Sequence, residues 1–163
     1  MASDAYLQIE GIKGESADSA HAGWIELTSA HWGVTQPRSA TVSTSGGHTA
    51  GHCEHRTLIL SKLVDIASPV LMQHCSMGKT MPKAKLEFMR ADGDGKPVKF
   101  YQVELENVML SHMDQVMHDG GQLHDEIGLC FSKVKWTYTQ QKIAGGASGN
   151  SSGGWDLASK KCA

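Results

Sequence analysis

Apolar and polar positions alternate along most of this chain, which predicts strands rather than helices. Tyr6-Leu7-Gln8-Ile9-Glu10 alternates and ends at Gly11 and a turn at Gly14. Trp24 to Trp32 is longer and rich in β-formers, and strict alternation places Ile25, Leu27, Ser29 and His31 on one face. Arg56 to Lys62 reads as another strand. Ala84, Leu86 and Phe88 alternate with Lys83, Lys85 and Glu87, and Asp92-Gly93-Asp94-Gly95 then marks a hairpin. Strands from Val98 to about Met113 and from Glu126 to Tyr138 follow, separated by a turn at Gly120-Gly121.

One segment has a different period. Val70, Leu71, His74 and Cys75 fall at helical spacing; Ser68 is placed to cap this helix, Pro69 suits its first position and Gly78 suits its end. About three turns are marginal alone and need tertiary support. Pro37 to Gly51 is rich in Ser, Thr and Gly and predicts a long exposed loop. Residues 145–154 are mostly Gly and Ser, the composition of a flexible linker, and Trp155-Asp156-Leu157 beyond them is a short sticky patch. The expected organisation is one β domain over residues 1–143 and a flexible tail over 144–163. Several strands, one short helix and hairpin links predict an antiparallel barrel or sandwich.

Bulk composition narrows the function. The 163 residues suit one domain with a sizeable core. Fifteen basic and 17 acidic residues give a formal charge of −2, with no basic footprint for nucleic acid. No apolar run is long enough to span a bilayer. Met1 to Tyr6 carries neither a basic segment nor an apolar core, which predicts no signal peptide and folding in the cytosol. Cys53, Cys75, Cys130 and Cys162 are widely spaced, as expected of free thiols.

The sharpest candidate chemistry is His48-Thr49-Ala50-Gly51-His52-Cys53-Glu54-His55, since imidazole and thiolate suit zinc or nickel. Its spacing matches no established metal pattern, and closing a structural site needs a second ligand pair elsewhere. Polar histidines in a Gly-rich loop are the expectation, with no metal and no cofactor. Asp92-Gly93-Asp94-Gly95 lacks the flanking helices and the glutamate of a calcium loop, because Val103 stands at the twelfth position. No G-x-S-x-G elbow and no phosphate loop occur. His112, His118 and His124 surround a strand end and a turn and read as surface polar residues. No catalytic residue is assigned.

Several blocks, taken in order, resemble the Hcp (haemolysin-coregulated protein) family. They are Tyr6 to Ser16, then His21, Ile25-Glu26, Trp32 to Gln36, and Ser68-Pro69 with Leu71 ahead of Cys75 to Lys79. Leu105 to Ser111, Val134 to Tyr138 and Gly154 to Leu157 complete the set. The resemblance implies a mainly β protein, an antiparallel β-barrel with one short α-helix and a long extended loop. It implies a subunit of the type VI secretion inner tube. Homohexameric rings of it would stack inside a contractile sheath, be capped by a VgrG-family spike and be expelled on contraction. The subunit would then leave the bacterial cytoplasm without a signal peptide, carrying small effector proteins in the pore, without inserting into a membrane. On that pattern Ser29 and His31 face the pore, His31 standing where the family commonly has serine. Thr44, Ser45, Gly46, Gly47 and His48 reach toward the next ring. A free-standing binding module or small hydrolase on a β scaffold is the alternative.

Overall fold

The computed structural model describes residues 3–38 and 51–163. Among them the chain runs β1 (Ser3–Ile9), β2 (Ile25–Leu27), β3 (Ser29–His31), β4 (Val34–Thr35), β5 (Glu54–His55) and β6 (Leu58–Leu63). Then come α1 (Ser68–Met77), β7 (Thr80–Ala91), β8 (Pro97–Val116), β9 (His124–Cys130), β10 (Lys133–Gln141), β11 (Ala147–Asp156) and β12 (Lys161–Cys162). This is the mainly β, antiparallel architecture with one short helix that the alternation predicts.

The 20-residue β8 organises the sheet. One of its edges pairs with β7; the other pairs first with β10 and then with β9. The strand expected from Glu126 to Tyr138 is therefore two strands, with a break at Phe131-Ser132. Opposite the break, Asn107 adopts φ 52, a left-handed conformation that asparagine tolerates better than most residues. Its Nδ2 donates to Ser132 Oγ at 2.9 Å, and the Ser132 N–H donates to Glu106 O at 3.0 Å. The register survives the kink, since Glu106 faces Lys133 and Met109 faces Cys130.

A second break turns the chain between the two halves. β2 pairs with β1, whereas β3 pairs with β6, and the Thr28 N–H between them donates to Ser61 O at 2.8 Å. The circuit β1–β7–β8–β9–β6 thus returns to β1 through Ile25–His31, but no continuous ladder closes it as a barrel. The break also shifts the alternation. Ile25 is buried and Leu27 packs on the core, but beyond Thr28 it is Ala30 and Trp32 that turn inward. Ser29 and His31 are exposed, so the expectation that all four share a face fails at Thr28.

The core is apolar and continuous, built on Leu7, Ile25, Leu60, Leu86, Leu105 and Ile127, with Leu71 of α1 added. Ser68 is not the cap of this helix. Ala67 holds the cap position, and Pro69 stands second rather than first. Asp65 Oδ1 accepts from the Ala67 N–H at 2.9 Å, leaving Ser68 Oγ free for the buried polar cluster described below. Gly78 closes the helix at φ 62, as its sequence position predicts. Val70, expected on the apolar face, is exposed; Leu71 is buried and Cys75 packs on the core.

The Gly/Ser-rich segment is not a loose tail. Ala147–Asp156 forms β11, hydrogen-bonded along β10 with Gly153 opposite Trp136 and Trp155 opposite Val134. Its order comes from the ladder beside it rather than from its own composition, which is why propensity misses it.

Candidate functional site

The exposed face of β3, β6, β9 and β8 gathers the polar side chains. Register aligns Ser29, Ser61, Glu126 and Asp114 in one row across the four strands. His31, Ile59, Gly128 and His112 form the next row. The two expected pore residues, Ser29 and His31, therefore lie on one edge of an exposed polar face, and His112 and Asp114 on the other. The expected ring-stacking residues Thr44, Ser45, Gly46, Gly47 and His48 lie outside the described residues.

Across this face Glu126 stands directly opposite Asp114. His112 Nε2 lies 3.3 Å from Glu126 Oε1. The imidazole lies against Gly128, where a Cβ would meet its ring atoms at 2.3 Å. Ser111 Oγ donates to Gly128 O at 3.3 Å and lies 3.3 Å from His112 Nδ1. Ser111 and His112 are sequence neighbours, and His112 also pairs with Glu126 across the strands.

Two polar clusters, each with a buried centre, tie elements of the fold together. Lys62 and Asp125, both fully buried, pair at 2.8 Å. Lys62 Nζ also donates to Asp65 Oδ1 at 2.7 Å and Ser68 Oγ at 2.8 Å, and Ser68 Oγ donates to Asp125. Burial pushes the Asp125 carboxyl up, but hydrogen bonds from Lys62, Ser68 and Gln115 outweigh it and hold it below its ordinary value. The second cluster centres on buried His21, whose ring nitrogens lie 2.6 Å from Asp18 and 2.7 Å from Glu87. His21 stacks on Tyr6 at 4.2 Å and meets Trp24 edge-on. The hydrogen bond to His21 is the main cause of the lowered Asp18 pKa. This cluster ties the loop after β1 to β7.

Sequence reasoning passed over Lys62 and Asp125, although both carried a signal. Lys62 is in phase with Leu58 and Leu60, and Asp125 with Ile127 and Leu129, so alternation itself sends both charges inward.

The His48–His55 segment shows no converging donor set among its described members. His55 stacks on Trp136 at 6.0 Å and meets Phe131 edge-on, and burial lowers its pKa. It is packed as an aromatic. His31, Cys53 and His55 line one open concavity of about 720 Å³ with Leu157. A hollow of about 450 Å³ over β1, β7 and β8 is lined by Gln8, Glu10, Lys83, Lys85, Glu104 and Glu106. There Lys83 faces Glu106 and Lys85 faces Glu104, so most of its charges compensate one another. No helix among the described residues is long and apolar enough to cross a membrane.

The comparisons with known proteins agree with one another. A family model described as "Type VI secretion system effector, Hcp" matches residues 6–138. Protein hcp1 of Pseudomonas aeruginosa is 33% identical over 159 residues, covering 96% of each chain. The Major exported protein of the same organism is 22% identical over 166 residues, covering 89% of this chain and 94% of that one. A solved structure of a type six secretion system protein superposes with a TM-score of 0.92 at 27% identity, over 99% of this chain and 100% of the other. Hcp1 from Salmonella typhimurium superposes with a TM-score of 0.80 at 26% identity, over 100% of both chains.

Proposed function

The chain belongs to the Hcp family of the type VI secretion system, and from that membership we propose that it is the repeating subunit of the secreted inner tube. Six copies close into a ring, rings stack, and the tube leaves the cell with small effector proteins in its pore. A VgrG-family spike and a contractile sheath are the partners this role requires. The role is structural rather than catalytic.

The observation that carries the reading is the match of fold and sequence over essentially the whole chain. A property of the surface supports it. Leu63, Val64, Ile66, Val116, Met117 and Leu123 are exposed apolar residues at the adjoining ends of β6, β8 and β9. The Val64 N–H donates to Leu123 O at 3.2 Å and holds the two connecting segments together. Met117 is 71% and Ile66 57% exposed. An apolar rim of this kind marks an association surface, and a neighbouring copy covers it in a ring.

In this reading Ser29 and His31 line the pore, and Thr44 to His48 contact the next ring. Deleting Thr41 to Gly47 is expected to leave single rings visible by negative stain while abolishing tubes and reducing secretion. Loss of soluble, folded protein on that deletion would contradict the assignment of the loop.

A further inference from the structure

We propose that Asp18, His21 and Glu87 form a proton-operated latch that holds the loop between β1 and β2 against β7. The device is complete within one chain and does not depend on ring formation. His21 is 1% exposed, and each of its ring nitrogens faces a carboxylate oxygen. Nδ1 lies 2.6 Å from Asp18 Oδ2, and Nε2 lies 2.7 Å from Glu87 Oε2.

An ionised carboxylate only accepts, so each of these contacts needs a hydrogen on the ring. Both carboxylates are held in the ionised form. The pKa of Asp18 is lowered, chiefly by the hydrogen bond with His21. The other oxygen of Glu87, Oε1, accepts from Lys99 Nζ at 3.3 Å, and Lys85 Nζ stands 4.0 Å away. His21 therefore carries a hydrogen on both nitrogens, an assignment that involves no choice between neutral tautomers. Tyr6 favours the same charged form, stacking on the ring with centroids 4.2 Å apart and planes 4° from parallel.

The loop has few other anchors. Its backbone bonds close on the loop itself: Gly14 N–H to Gly23 O, Gly23 N–H to Ser16 O, and Ser16 N–H to Trp24 O. Ile12 is its one buried aliphatic side chain. Among the described residues, two side-chain bonds carry it to other elements. One is His21 to Glu87 of β7, and the other is Glu15 Oε1, which accepts from the Ile66 N–H at 2.8 Å.

A neutral imidazole has one hydrogen for two carboxylates. Losing the proton opens one contact and sets a ring lone pair against a carboxylate oxygen. The line from Asp18 through His21 to Glu87 is then broken. The latch is closed while the ring carries both hydrogens and opens when rising pH removes one. Tyr6 is not the group that switches, since burial first, and then Asp18, Asp4 and Glu26, push its hydroxyl up.

The test is amide hydrogen exchange of the full-length chain, read by mass spectrometry at about pH 6 and about pH 9 and corrected for intrinsic rates. Protection of peptides covering residues 12–24, relative to a β9 peptide, is expected to fall about tenfold or more between the two. Asp18→Asn is the discriminating variant. Its amide donates to Nδ1 of a neutral ring while Nε2–H still donates to Glu87, so protection should persist at the higher pH. His21→Gln, neutral throughout, should be weakly protected at both pH values, with no fall between them. Equal wild-type protection at the two pH values would overturn the proposal. So would a fall in Asp18→Asn as large as in the wild type, a reading that holds even where His21→Gln fails to fold.

Discussion

Lys62 shows how much a single side chain can decide here. Its ammonium is fully buried between two aspartates, and Ser68 Oγ links it to Asp125. Removing one partner from such a cluster strands the others, so Lys62→Met should cost about 3–5 kcal/mol, read as a fall in the denaturant midpoint. Asp125 makes the cluster sensitive to acid. Its folded pKa lies below the ordinary value of 3.8, so its contribution is present above that value and is lost as pH falls through the folded one. Wild-type melting temperature should therefore drop more steeply than that of Asp125→Asn between about pH 5 and pH 2. Parallel curves would show that Asp125 makes no such contribution. Both charges were legible in the alternation, because they share phase with Leu60 and Ile127. What alternation does not carry is the partner, since Lys62, Asp65 and Asp125 meet only when β6, α1 and β9 fold together. The shift of Ser29 and His31 to the outer face was not legible either, because the break at Thr28 depends on pairing with two different strands.

At the scale of elements, the segments with strong local chemistry were readable and those held by neighbours were not. α1 ends where its sequence signals place it, at Gly78, although its cap and one of its expected apolar positions differ. The hairpin at Asp92 does too, with Asp92 Oδ1 accepting from the N–H groups of Asp94 and Lys96 and Gly95 at φ 77. β11 is the contrary case. Its Gly/Ser composition favours disorder, yet β10 supplies a partner for its backbone, and Trp155 packs against the core. Truncation after Ile143 should therefore lower the melting temperature and leave β10 as an unprotected edge prone to aggregation. Trp155→Ala alone should cost about 2 kcal/mol by denaturant unfolding, less than for a fully buried tryptophan. A truncated chain that melts like the full one would return β11 to the status of a tail. The kink at Asn107 offers a separate check. Asn107→Val should destabilise by about 1–2 kcal/mol, whereas Asn107→Gly should be nearly neutral, because only the β-branched residue resists a positive φ.

The whole molecule presents three surfaces that one chain alone does not use. They are the polar face with Ser29 and His31, the apolar rim around Met117, and the described ends of the Pro37–Gly51 segment. In the tube proposed above, the rim is expected to meet a neighbour in the ring, the polar face to line the pore and the loop to meet the next ring. Replacing Met117 and Leu123 together with glutamate should leave the monomer folded, by an unchanged far-ultraviolet circular dichroism spectrum, but prevent ring closure. The central claim is the ring itself, and native mass spectrometry of the untagged chain at micromolar concentration tests it most directly. The account predicts a dominant species of six copies of the 17.5 kDa chain. A spectrum of single chains under the same conditions would contradict it.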